Sequence, residues 1–116
     1  MSKKRKGEES GLNMYDVIPR PIVKSETIEN GVVVLLKLKY KNPFLVKHLI
    51  PRMKHPFYKI NLDSIGSAVW NKIDGFKNAA EIAEELEKEL GEQIQPAYER
   101  LGIFLSMLKR GKFIEY

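Results

Sequence analysis

The chain has 116 residues, of which 43% are hydrophobic and 30% charged, and these values are typical of one soluble globular domain. It has no cysteine, which excludes a disulfide framework, thiolate metal sites and thiol nucleophiles. Its net charge of +5 is unevenly distributed, because residues 1–60 carry 13 Lys or Arg against 5 Asp or Glu, whereas residues 61–116 carry 7 against 10.

The N-terminal residues have the composition of a flexible basic tail. Four of the positive charges of the first half lie there, at Lys3, Lys4, Arg5 and Lys6. We therefore divide the chain into a tail at 1–14 and a single domain at 15–116. No apolar region follows the basic cluster, as a secretory signal would require, and no apolar run approaches the roughly 20 residues of a membrane span. The sequence predicts a cytoplasmic protein that does not enter a membrane.

Three strand signals come first in chain order. Residues 22–28 and 32–40 flank an Asn-Gly pair, which indicates a hairpin because it supplies the positive φ angles of a tight turn. Residues 41–56 contain three prolines and both histidines, and we expect a loop there with one short helix or strand. Phe57–Asn61 then predicts a short third strand, and the proline before it suits an edge strand.

Beyond residue 61, apolar residues recur with the helical period of about 3.6. The predicted caps and breaks are Asp63 and Gly75 for a first helix, Asn78, Glu81 and Gly91 for a second, and Pro96 and Gly111 for a third. Residues 113–116 predict a short terminal strand. A small antiparallel N-terminal sheet, followed by a three-helix bundle and a C-terminal strand, gives a winged-helix-like α+β fold.

The start of the helical half resembles a known family. Residues 60–75, INLDSIGSAVWNKIDG, are similar to the signature of the PqqD-like proteins, named for pyrroloquinoline quinone biosynthesis protein D. That signature combines Leu-Asp, a helical glycine, a hydrophobic residue before tryptophan, and Asp-Gly. The resemblance covers about residues 56–116 and continues through Glu81-Ile82-Ala83, Arg100-Leu101, Phe104-Leu105 and Gly111-Lys112-Phe113-Ile114.

The resemblance implies a function. PqqD-like domains are peptide-recognition elements that hold the leader of a ribosomally made precursor as an added β-strand beside the third helix. They present it to a modifying enzyme, often a radical S-adenosylmethionine enzyme, and have no catalytic residues of their own. We therefore expect a non-catalytic adaptor without cofactor, whose peptide-binding residues are Phe57, Tyr58, Lys59, Ile60 and Asn61 on the strand and Arg100, Ile103, Met107 and Arg110 on the helix.

The third predicted helix has an apolar surface wider than one buried face requires. At roughly 100° per residue its apolar residues spread over about 220°, whereas a core-facing stripe needs about 100°. The excess predicts contact with a bound peptide, a partner or a second copy in a homodimer. The alternative is a central helix that its own domain covers on both sides, residues 41–56 included.

Other function classes find less support in the sequence. The basic first half keeps open a winged-helix nucleic-acid-binding or regulatory protein, but the middle of the third helix, residues 101–108, has no charged residue with which to contact bases or phosphates. His48 and His55 are seven residues apart with no further ligand nearby, so we expect no metal site. No nucleotide-binding glycine motif is present, and we expect no enzymatic activity.

Overall fold

The structure, a computed structural model, describes residues 13–116, so residues 1–12 of the predicted tail lie outside the described residues. The strands are β1 (Arg20–Pro21), β2 (Lys24–Thr27), β3 (Val33–Leu38), β4 (Phe57–Asn61) and β5 (Ile114–Glu115). The helices are α1 (Pro43–His48), α2 (Ser64–Lys72), α3 (Ala79–Leu90) and α4 (Ala97–Arg110). Short 3-10 turns lie at Glu29–Gly31, Ile50–Arg52 and Gly91–Ile94.

The strands form two antiparallel sheets. The larger has the order β2-β3-β4, so that β3 is its central strand, and β1 pairs with β5 in the smaller. This arrangement confirms the predicted α+β class with a small antiparallel sheet before the helices. The first two predicted strands were too long at both ends, and the two-residue pairing of Arg20 with Glu115 was not predicted.

The hairpin between β2 and β3 turns where the Asn-Gly pair predicted it. Asn30 and Gly31 both have positive φ angles, 65° and 74°. The N–H of Ile28 donates to the carbonyl of Val32 at 2.8 Å, which closes a loop of three residues. This hydrogen bond sets the register that pairs Lys24 with Leu36.

Side-chain caps begin two of the three helices that carry the family resemblance. Asp63 accepts a hydrogen bond from the N–H of Gly66 at 2.6 Å, and Asn78 forms a reciprocal capping box with Glu81. α2 ends at Lys72, before the predicted Asp-Gly break, because Asp74 instead accepts hydrogen bonds from the N–H groups of the following turn.

The core lies between β3 and the helices. Leu35 of β3 packs in it with residues of all three helices from α2 to α4, including Leu101 and the tryptophan of α2. Trp70 is buried and its indole N–H donates to the hydroxyl of Ser25 at 3.2 Å, which ties α2 to β2. Met14, the last residue of the predicted tail, is also buried, and its carbonyl accepts from the N–H of Ala80.

Candidate functional site

One edge of β4 has no partner strand within residues 13–116. The N–H of Lys39 donates to the carbonyl of Pro56, and the N–H of Leu62 donates to the carbonyl of Val33, so the ladder between β3 and β4 is hydrogen-bonded at both ends. Because hydrogen-bonded and non-hydrogen-bonded pairs alternate in an antiparallel ladder, Tyr58 and Ile60 take the bonded positions. The backbone N–H and C=O groups of the other three residues of β4 therefore point away from β3.

The side chains of β4 divide between two faces of the sheet. Ile60 lies opposite the buried Leu35, and Tyr58 lies opposite Lys37, so both point to the side where the helices pack. The two side chains are nevertheless 37% and 56% exposed. Phe57, Lys59 and Asn61 lie on the opposite face. The free edge therefore borders an open, apolar surface on the helical side.

α4 supplies the other wall of this surface. One side of the helix packs into the core through the buried residues Ala97, Leu101, Gly102, Leu105 and Leu108. The opposite stripe, at helical spacing, consists of Arg100, Ile103, Met107 and Arg110. Ile103 and Met107 are 58% and 61% exposed, which makes the middle of this stripe apolar and accessible.

Three contacts fix α4 relative to α2 and the sheet. The ring of Phe104 lies beside Gly66, where a methyl group on the glycine would come within 3.4 Å of it, so the absent side chain permits the close packing. At the other end of α4, the ammonium of Lys37 donates to the carbonyl of Gly111 and lies 5.0 Å from the centre of the Phe113 ring. Because Lys37 pairs with Tyr58, the C-terminal end of α4 lies near the start of β4.

Ser67 secures the start of β3, and its role was not predicted from the sequence. Its buried hydroxyl accepts a hydrogen bond from the N–H of Val33 at 2.9 Å and donates to the carbonyl of Leu62 at 3.3 Å. The only signal in the sequence is a polar residue on the apolar side of an amphipathic helix. Its partner at Val33 is 34 residues away, beyond the reach of any local pattern.

Residues 41–56 leave the exposed stripe of α4 uncovered. They contain α1 and the turn Ile50–Arg52, which pack on each other, and none of the buried core residues belongs to them. Phe44 of α1 is largely exposed, with its ring 4.6 Å from that of His48. Residues 54–56 instead border a hollow on the face of β4 that points away from the helices. The interpretation of α4 as a helix covered by this segment is therefore wrong for its exposed stripe.

The predicted binding residues divide among three surfaces. Tyr58 and Ile60 lie on the helical face of β4, and Phe57, Lys59 and Asn61 lie on its other face. Arg100, Ile103, Met107 and Arg110 lie on the exposed stripe of α4. Tyr58, Ile60, Ile103 and Met107 contribute exposed apolar side chains on the helical side. The guanidinium of Arg100 donates a hydrogen bond to the carbonyl of Gln93, in the turn before α4. Binding by these residues stays a prediction.

Within the described residues, no three His, Asp or Glu side chains come together as metal ligands would. No helix in residues 13–116 has the length and apolar character of a membrane span.

Comparison with known families addresses the same half of the chain. The family model described as Coenzyme PQQ synthesis protein D (PqqD) matches residues 58–114. No curated protein and no solved structure matches the chain at a significant level. The match covers most of β4, all of α2, α3 and α4, and the first residue of β5. PqqD proteins are non-catalytic accessory proteins. It supports, in general terms, a peptide-binding accessory protein of the type used in PQQ biosynthesis, and it confirms the predicted PqqD-like resemblance over residues 58–114.

Proposed function

We propose that this chain captures the leader of a ribosomally made precursor peptide by adding it as a strand to the free edge of β4. The bound segment lies in the cleft against α4 and is presented to a modifying enzyme of the radical S-adenosylmethionine class. The observation that carries the proposal is the free edge of β4, supported by the exposed apolar residues Ile103 and Met107 of α4, the helix whose C-terminal end lies near the start of β4.

Burial of apolar side chains must contribute more to peptide affinity than backbone hydrogen bonds to β4 do. Three outward-facing residues on β4 offer a handful of backbone hydrogen bonds, each with a net contribution of about 0.5–1.5 kcal/mol. Association costs at least about 4 kcal/mol in lost freedom, so those bonds leave little net affinity. Burial of an apolar side chain contributes about 1.5–3 kcal/mol. The captured segment must therefore place apolar side chains, at alternate positions, over Tyr58, Ile60 and the stripe of α4.

The cleft suits a peptide better than a nucleic acid. The exposed middle of α4 is apolar, whereas a helix that reads a groove presents polar and basic side chains along that stripe. The neighbouring α3 carries five glutamates, which repel phosphate. Nucleic-acid binding is thereby disfavoured, and duplex DNA is the alternative ligand against which the proposal is tested.

Selection of displayed random peptides of about twelve residues by the full chain tests the proposal. We expect enriched peptides with apolar residues at alternate positions. The variant Lys59→Pro removes one outward N–H without breaking the ladder to β3, and it should weaken binding of a selected peptide about two- to tenfold. Lys59→Thr keeps the N–H and is its matched control. Thr27→Pro, on the free edge of β2, should leave peptide affinity unchanged.

The helical wall has its own variant. Ile103→Asp places a charge where an apolar side chain is expected to bind, and the loss of that burial predicts binding weaker by at least about tenfold. Phe76→Asp removes another exposed apolar side chain, outside the cleft, and should leave affinity unchanged. The proposal fails if no peptide is enriched, if duplex DNA binds instead, or if sedimentation shows a homodimer that the Ile103→Asp substitution dissociates.

A further inference from the structure

The sheet and the segment 41–56 form a strongly basic region. Between Glu29 and Asp63 the sequence contains seven Lys or Arg and no Asp or Glu. The acidic residues of the second half are concentrated instead on α3, whose exposed glutamates include Glu81, Glu84 and Glu89. The molecule therefore has a positive end, formed by the sheet, and a negative helix.

Two of these seven positive charges meet two further lysines at one pocket. A cavity of about 340 Å³ at the end of the sheet, where β2 and β4 begin and β3 ends, is lined by Lys24, Lys37, Lys41 and Lys112. These lysines come from β2, from β3, from the start of segment 41–56 and from the residue after the C-cap of α4. The remaining lining residues are apolar, so no carboxylate from residues 13–116 lines the pocket beside the cluster.

Lys37 lies at the centre of this cluster. Burial lowers the pKa of its ammonium, and the positive charges of Lys41 and Lys112 lower it further. Its donated hydrogen bond to the carbonyl of Gly111 uses one of its three N–H groups. A bound anion would relieve the repulsion among the three lysines and accept the hydrogen bonds that remain.

The pocket adjoins the free edge of β4 through Phe57. The side chain of Phe57 lines the pocket, and its backbone N–H and C=O face the free edge. A peptide strand that pairs with β4 and continues past Phe57 therefore runs toward the end of the sheet where the lysines lie. Segments of one ligand can occupy both places.

We infer that the lysine pocket binds acidic side chains of the same precursor segment. The captured segment then has two parts, an alternating apolar strand over the cleft and a cluster of Asp or Glu at the end next to Phe57. This inference rests on the proposed function, and it specifies the substrate class that the cleft selects. The continuity between edge and pocket favours an acidic peptide over a nucleic acid as the source of the anionic groups.

Two synthetic peptides that differ only in charge provide the test. A strand-forming sequence obtained from the selection is joined, at each end in turn, to three glutamates or to three glutamines. For one of the two orientations we expect the glutamate form to bind about tenfold more tightly, from the sum of two or three ion pairs. That preference should fall as salt is raised.

The double variant Lys41→Gln/Lys112→Gln should reduce the preference to about twofold or less and leave affinity for the glutamine form unchanged. Lys47→Gln/Lys88→Gln removes the same net charge from exposed positions outside the pocket and should keep the preference. In the wild type, binding of the glutamate form should also raise the pKa of Lys37, measured from its ¹³Cε chemical shift.

The outcomes separate the two ideas. If both peptides bind wild type equally, the acidic-segment inference is wrong while strand capture stands. If the two double variants lose the preference for the glutamate form equally, the net charge of the protein explains that preference and the lysine pocket is not the binding site. Displacement of the glutamate peptide by a single-stranded oligonucleotide that binds more tightly would assign the lysines to nucleic acid. If neither peptide binds, strand capture itself fails.

Discussion

The helical half and the segment 41–56 differ in how they are held. α2, α3 and α4 each contribute fully or nearly fully buried side chains to one core, and two of them begin with side-chain caps. α1 and the turn after it contribute no buried residue and pack mainly on each other. The core of this fold thus lies mainly in the region that matches the family, completed by β3 and residues 14–17, whereas segment 41–56 adds surface and positive charge.

The largest test of this difference is a pair of leucine truncations. Leu101→Ala removes a fully buried side chain of α4 and should cost about 2–5 kcal/mol of the free energy of unfolding. Leu45→Ala removes a half-buried side chain of α1 and should cost less than about 1 kcal/mol. Urea denaturation followed by circular dichroism measures both. Equal losses would show that segment 41–56 belongs to the cooperative core.

A buried hydrogen bond gives the next effect. Ser67→Ala leaves the N–H of Val33 without its acceptor in the interior and should cost about 1–3 kcal/mol. Ser64→Ala, at an exposed position one turn earlier, should change stability by less than about 0.5 kcal/mol. Hydrogen exchange of the Val33 amide offers a second measurement, since it should accelerate only in the first variant.

Helix caps compare the two regions directly. Asn78→Ala removes half of the capping box of α3 and should cost about 0.5–2 kcal/mol of global stability. Asn42→Ala removes the corresponding cap of α1, where Asn42 accepts from the N–H of Phe44 at 2.8 Å. Because α1 is outside the core, we expect its amides to lose exchange protection while the urea midpoint stays the same. A shifted midpoint in Asn42→Ala would contradict the comparison.

The smallest expected effect is the loss of stability at acidic pH when Asp74 becomes protonated. Hydrogen bonds from the backbone N–H groups of Lys77 and Phe76 hold the pKa of Asp74 below its ordinary value of 3.8. The folded state therefore binds a proton less readily than the unfolded chain, so the contribution is fully present above that value and is lost as pH falls through the lowered pKa. Asp74→Asn should flatten this part of the melting-temperature profile, and carboxyl chemical shifts report the titration.

Local signals accounted for much of the fold. β4 has the bounds predicted from its sequence, and the caps at Asp63 and Asn78 form as predicted, because each depends on residues within a few positions of one another. The pairing of β1 with β5 joins the two ends of the domain, and two-residue strands give no periodicity to detect. The cap of α1 was predictable, since Asn42-Pro43 is a helix-start signal that the prolines nearby obscured.

The candidate site was predictable in its elements and less so in its surroundings. The wide apolar arc of α4 indicated a surface in excess of the core, and Ile103 and Met107 are exposed as that excess requires. The lysine pocket could not be predicted, because it unites Lys24, Lys37, Lys41 and Lys112 from positions up to 88 residues apart. Charge patterning indicated only a basic first half, without the place where those charges meet.

The backbone hydrogen bond from Lys39 to Pro56 closes the stretch between them as an insertion at the end of the ladder between β3 and β4. Its two ends occupy facing rungs of one ladder, so its length is independent of the strand alignment on either side. We therefore expect that this stretch can be shortened, extended or exchanged without a change in the alignment of β3 and β4. Changes in this stretch can therefore alter the surface offered to a ligand while the core of the domain stays the same.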